Sequence, residues 1–307
     1  MNVTQLTERL FFGFFIFPFL LSSCKKTAEI VPPVIIAQSA PITVDLKHTF
    51  PELLNESSGL CYTDGNLWSF GDSGNPNSIF KIDTTTGAIL QTVTIANYPN
   101  IDWEDITADS LYIYVGDIGN NDGNRTDLKI LRIKKTDISA NTPSVNVMGE
   151  AINFSYSDQT GFPYNSNTNV DCEALLSIEN NLYLFTKDGG DLQTRCYKIS
   201  KEPGTYSLAP FSSFNTNGKI TAAAYNPVTK ELALLGYMNQ KTGSFIWFFN
   251  DYQGNGFFSG TSARLTFGSP QSDWQTEGLD YISTKRLMMS CESSTSHAAS
   301  LYAVQKH

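Results

Sequence analysis

The chain has 307 residues, 41% of them hydrophobic, with 30 acidic against 21 basic side chains for a net charge of −9. That length supports one sizeable core or two small ones, and an acidic chain with no basic run is not built for nucleic acid. Five cysteines without CxxC spacing, three histidines and no Gly-x-Ser-x-Gly argue against a zinc site and a Ser-His-Asp hydrolase.

Residues 1–23 read as an export signal. Arg9 gives a weakly charged start, and Leu10 to Leu21 is an apolar run too short for a spanning helix. Leu21-Ser22-Ser23-Cys24 has the wording of a bacterial lipobox, which makes Cys24 the expected lipidation site; an ordinary signal peptide carrying a Cys is the other reading. Residues 24–41, polar and Pro-containing after Lys25-Lys26, read as a flexible tether. The expected setting is a membrane of the bacterial cell envelope, the outer membrane, with residues 42–307 as the folded body.

The body opens on Ile42–Leu46, an alternating strand with no obvious partner. A four-strand pattern then recurs five times, with no persuasive helical period between copies. The first copy offers Gly59–Thr63, Asn66–Phe70, Ile79–Asp83 and Ile89–Ile95; the second, after Trp103-Glu104-Asp105-Ile106, offers Ser110–Val115, Leu128–Lys134 and Ala151–Ser155. The third, after Cys172-Glu173-Ala174-Leu175, offers Asn181–Thr186, Thr194–Ser200 and Ser207–Phe211. The fourth, after Ile220-Thr221-Ala222-Ala223, offers Glu231–Leu235, Ser244–Asn250 and Ala263–Phe267. The fifth, after Thr276-Glu277-Gly278-Leu279, offers Arg286–Ser290 and Ser300–Val304, then stops one strand short. Ile42–Leu46 can supply that strand and close a ring, so the expectation is an all-β, five-bladed propeller with four-stranded blades. Six blades are the alternative, because the interval from 104 to 173 is long; residues 136–168 read instead as polar loops around one strand.

Aligned on the repeat, one position just ahead of the first strand holds Ser58, Glu104, Glu173, Thr221 and Glu277. Radial repeats aim equivalent positions at one axis, where three carboxylates repel each other unless a hard cation sits among them. An all-oxygen set suits Ca²⁺ ahead of Mg²⁺. Strand direction places these residues on the same face as the Asp/Asn/Gly loops after each second strand, which carry Asp72, Asp117 and Glu292. Cys61 and Cys291 fall in neighbouring blades, within reach of a disulfide; the other reading keeps Cys61, Cys172, Cys196 and Cys291 as buried core residues.

An axial Ser, Glu, Glu, hydroxyl, Glu series around five blades resembles the calcium-dependent apyrase family of five-bladed nucleotidases. The local wording is similar at Glu56-Ser57-Ser58-Gly59, at Gly65-Asn66-Leu67-Trp68-Ser69, from Trp103 to Tyr112 and at Thr276-Glu277-Gly278-Leu279. The resemblance implies a calcium ion held by the five tunnel residues and positioning a nucleoside phosphate for water attack. Glu104, Asp72, Asp117 and Glu292 are then the candidate catalytic residues, and Arg125, Lys187 and Arg195 the candidate phosphate-binding cations. The chain departs from the family at Gly71-Asp72-Ser73-Gly74-Asn75, where an Asp-Asp-Arg wording is expected. It is closer to secreted propellers of unassigned function that share Trp-Glu-Asp-Ile and Gly-Asp-Ile-Gly-Asn-Asn. Two other function classes stay open: a non-enzymatic propeller whose cation staples the blades while its loops bind a partner or glycan, and a glycosidase using Glu104, Glu173 and Glu277 as its carboxylates.

Overall fold

The computed structural model describes residues 42–238, 242–267 and 274–307. The expected signal segment, Cys24 and the tether lie outside them, as do parts of the loops after residues 238 and 267.

Each repeat forms one antiparallel sheet. Blade 1 consists of β2 (Ser57–Thr63), β3 (Asn66–Gly71), β4 (Ser78–Ile82) and β5 (Ile89–Ile95). Blade 2 takes β6 (Trp103–Ala108), β7 (Tyr112–Asp117), β8 (Lys129–Lys134) and β10 (Glu150–Tyr156), and blade 3 takes β11 (Cys172–Ile178), β12 (Asn181–Thr186), β13 (Thr194–Ser200) and β15 (Pro210–Phe214). Blade 4 is β16 (Lys219–Asn226), β17 (Glu231–Met238), β18 (Thr242–Asn250) and β19 (Thr261–Phe267). Blade 5 is β20 (Thr276–Ser283), β21 (Arg286–Cys291) and β22 (Ser300–Lys306), completed by the N-terminal β1 (Ile42–Thr49) pairing antiparallel with β22. The inner strands β2, β6, β11, β16 and β20 touch one another in a closed cycle, so the molecule is a five-bladed propeller.

Five apolar layers hold the blades together, each built from the facing sides of two neighbouring sheets. Between blades 1 and 2, Phe70 meets Trp103 edge-on with ring centroids 5.6 Å apart. Between blades 3 and 4, Phe214, Trp247, Phe249 and Phe258 form a connected aromatic group. The four body cysteines are free thiols buried in these layers, which settles the disulfide alternative in favour of core packing.

Two strands depart from the expected layout. Residues 136–168 supply β9 (Ser144–Val147) as well as β10, and β9 adds parallel to β5 on the outside of blade 1. Ser207–Phe211, expected as one strand of the third repeat, is split at Ala209. Its first part belongs to β14 (Gly204–Leu208), parallel to β10 of blade 2, and its second part begins β15 of blade 3. Pro210 marks the break, since a residue without an N–H is tolerated at the start of a strand and not inside one. Neither extra strand starts a sixth sheet.

Candidate functional site

Every inner strand carries the same irregularity at the same place. Its pairing with the second strand skips a residue between Ser57 and Leu60, Trp103 and Asp105, Cys172 and Ala174, Ile220 and Ala222, and Thr276 and Gly278. The residue left over is Ser58 (with Gly59), Glu104, Glu173, Thr221 or Glu277. A bulge of this kind releases one residue from the ladder and re-aims its side chain, here at the start of each strand nearest the axis.

What the five side chains do then divides. Glu104, Glu173 and Glu277 line one cavity of about 270 Å³, together with Asp72 and Glu292 from the loops after β3 and β21. The two hydroxyls turn to the neighbouring blade: Ser58 Oγ donates to the Glu104 carbonyl at 2.6 Å, and Thr221 Oγ1 donates to the Thr276 carbonyl at 2.5 Å. Both are buried, and they tie one bulge to the next.

The electrostatics are governed by burial. Glu104 is 4% exposed, and among the described residues its carboxylate accepts no hydrogen bond and has no ion pair. Desolvation first, then the Glu173 charge, pushes its pKa well above the ordinary carboxylate range. Burial likewise raises Asp72, and burial followed by the charges of Asp72 and Asp171 lifts Asp102 to about 7. One of the two lysines lining the cavity is already engaged there. Lys187 Nζ pairs with Glu173 Oε1 and lies 3.7 Å from Asp171 Oδ2. Burial works against its charge, but Glu173, Tyr237, Asp171 and Glu104 outweigh that and hold its pKa above the usual lysine value.

Two carboxylate triplets bring single oxygens within 4.8 Å of one another: Asp72 with Asp102 and Glu104, and Glu104 with Asp171 and Glu173. Glu104 belongs to both. The loop after β7 comes close enough here that only glycine fits. A Cβ on Gly119 would overlap Glu104 Oε1 and stand 2.5 Å from Asp102 Oδ2. An acidic, all-oxygen donor set of this kind fits a hard divalent cation.

Other candidates sit elsewhere. Asp117, although buried, does not line the cavity; Arg125 at 2.8 Å and Lys129 at 3.3 Å engage its two oxygens. Arg125 is further spent on Asp127 at 3.1 Å and the Gly119 carbonyl at 2.8 Å, and Arg195 is spent on Asp188 and Asp191. Trp68 and Trp103 are buried in the layer between blades 1 and 2, and Trp274 packs on Tyr302, so among the described residues the one aromatic in the cavity lining is Tyr237. Sequence reasoning missed Asp102, Asp171, Tyr237, Gln275 and Lys219. Lys219, on β16, lines the cavity and has no ion pair among the described residues. Asp102 and Asp171 stand two residues ahead of Glu104 and Glu173, and that shared spacing was the available signal.

A larger cavity of about 550 Å³ opens where the inner strands end, lined by Tyr62, Thr107, Ser177 and Tyr281 among others. Its carboxylates, Glu179 and Asp280, belong to no metal-spaced group among the described residues, so the acidic funnel is the candidate site.

No protein-family profile matches the chain, and no curated protein matches it. Among solved structures, a PQQ-bound aldose sugar dehydrogenase from Streptomyces coelicolor superposes with a TM-score of 0.53 at 11% identity, over 88% of this chain and 100% of the other. A galactose-bound exo-β-1,3-galactanase from Phanerochaete chrysosporium gives 0.51 at 10% identity, over 86% of this chain and 64% of that one. At such identities the likeness concerns the fold, a propeller that elsewhere serves as an enzyme scaffold.

Proposed function

We propose that this propeller is a cation-dependent hydrolase of phosphoanhydrides or phosphoesters, carried on a bacterial envelope membrane by a lipid on Cys24. The observation that carries the reading is the convergence of Glu104, Glu173 and Glu277 from three blades on one funnel, with Asp72 and Glu292 at its rim. Glu104 and its acidic neighbours would hold the ion, Ca²⁺ in first place and Mg²⁺ second. When bound, such an ion polarises a phosphate oxygen and acidifies a water molecule.

The chain's own groups supply the rest. Lys219 is the ammonium available for a substrate phosphate, while Lys187 is engaged by Glu173 and Asp171. Glu292 is the carboxylate placed to take a proton, and Gln275 holds it by donating to its Oε2 at 2.6 Å. A glycosidase built on the same carboxylates is less well supported, because a sugar ring would find only Tyr237 to stack on.

The test is phosphate release from a panel of nucleoside di- and triphosphates and phosphomonoesters, with calcium and with chelator. Release that needs calcium and falls at least about a hundredfold in Glu104→Gln is the expected result. No release from any member of the panel overturns the hydrolase. A calcium-dependent rise in melting temperature without turnover would leave a staple and a binding face.

A further inference from the structure

We propose that the funnel's metal ion sits off the propeller axis, on the carboxylates of Asp72, Asp102 and Glu104, and that the Lys187 ammonium is the cation of the axial side. This rests on the reading of the funnel as a cation site and says which residues make it.

The five bulge residues do not share one task. Ser58 and Thr221 donate hydrogen bonds to carbonyls of the next blade and do not line the cavity. Glu173 has an ammonium on it, and the same ammonium faces Asp171. Two of the three carboxylates in the triplet Glu104, Asp171 and Glu173 therefore share one ammonium. The triplet Asp72, Asp102 and Glu104 shares none among the described residues. Its one ion pair among them is a long one, Arg125 Nη1 at 4.0 Å from Asp102 Oδ2, while the other Arg125 donors serve Asp117 and Asp127. The Lys187 charge acts on Asp72 and Glu104 only through space. Three carboxylates then face each other with no ion pair on Asp72 or Glu104 among the described residues, and repulsion at this range is of order 1 kcal/mol or more per pair even at an effective dielectric of about 20–80.

A second observation points to a ligand. Glu104 is more than nine-tenths buried, aims its carboxylate into the cavity, and has no hydrogen-bonding partner among the described residues. Buried charges without partners are rare unless they hold an ion. The spacing agrees. Oxygens on one Ca²⁺ at about 2.3–2.6 Å lie no more than about 5 Å apart, and these three lie within 4.8 Å of one another. Asp102 and Asp72 come from the rims of blades 2 and 1, so the ion would join those two blades and leave the axial side to Lys187.

Calcium titrated calorimetrically into the metal-free, full-length chain in detergent tests this, with thermal melts showing that each variant is folded. The wild type should bind about one equivalent, Asp102→Asn should weaken binding at least about tenfold, and Glu277→Gln, the axial residue on the far side, should stay within about threefold. Should Asp102→Asn fail to fold, Asp72→Asn on the half-exposed loop carries the same expectation. Binding that survives Asp102→Asn and Asp72→Asn, or that Glu277→Gln weakens as much as they do, overturns the off-axis site. No binding by the wild type overturns the cation reading itself.

Discussion

Asp280 shows how a single buried acid ties the inner strands together and sets a pH dependence. Its Oδ2 accepts the Tyr62 amide of blade 1 at 2.6 Å and its Oδ1 accepts the Tyr281 amide at 2.7 Å. Asp105 makes the same link between blades 2 and 3, accepting the Leu175 amide at 2.8 Å. Burial lifts Asp280 to about 7 against the pull of those amides. The unfolded chain loses that proton near the ordinary value of about 3.9. Between about pH 4 and 7 the folded state thus holds a proton that the unfolded state has released, and stability falls as pH rises through that window, then levels off. Water reaches this side chain from the lower cavity, so the effect should be about 1–2 kcal/mol rather than the ~4 of a fully desolvated three-unit displacement. Denaturant midpoints at pH 4.5 and 7.5 should drop further in the wild type than in Asp280→Asn; an equal drop in both removes Asp280 as the cause. The bulge residues were legible because all five copies repeat, whereas Lys187 as an internal cation was not. Its loop, Lys187-Asp188-Gly189-Gly190-Asp191, reads as an ordinary turn, and only the fold brings its ammonium onto Glu173.

Among the elements, β1 carries the closure of the ring. Its side chains are mostly exposed, though Ile42 and Val44 pack on the layer between blades 4 and 5, so its contribution lies chiefly in covering the β22 edge. Deleting Ile42–Thr49 should lower the melting temperature by roughly 5–10 °C, at about 2–4 °C per kcal/mol for a body of this size, and promote association through β22. An unchanged melting temperature and a monodisperse monomer would show that the last blade is stable with three strands. The sequence made β1 recognisable because its alternation had no local partner and the fifth repeat lacked a strand. The parallel strands β9 and β14 were illegible for the converse reason. Ser144–Val147 is a short, polar segment among Asn, Ser, Thr and Pro, and it becomes a strand only because the outer edge of blade 1 offers β5 to pair with. Similarly, nothing local tells Leu208 and Pro210 that they belong to different blades.

At the scale of the whole molecule, five sheets, five apolar layers and five bulges are one arrangement repeated, and its symmetry is broken at the outer edges by β9 and β14 and at the axis by chemistry. Three bulges carry carboxylates and two carry hydroxyls that stitch neighbouring blades. Five carboxylates are thereby gathered at one funnel where the blades meet. The number of blades and the converging position followed from periodicity, but the charge arrangement did not, because it depends on which loop folds over which bulge. The cation site in the funnel can be seen by anomalous diffraction from a crystal soaked in terbium as a calcium substitute. The expected result is a single strong peak inside the funnel, about 2.3–2.6 Å from a Glu104 carboxylate oxygen. A funnel without a peak, with terbium only on outer surface acids, would contradict a cation site there.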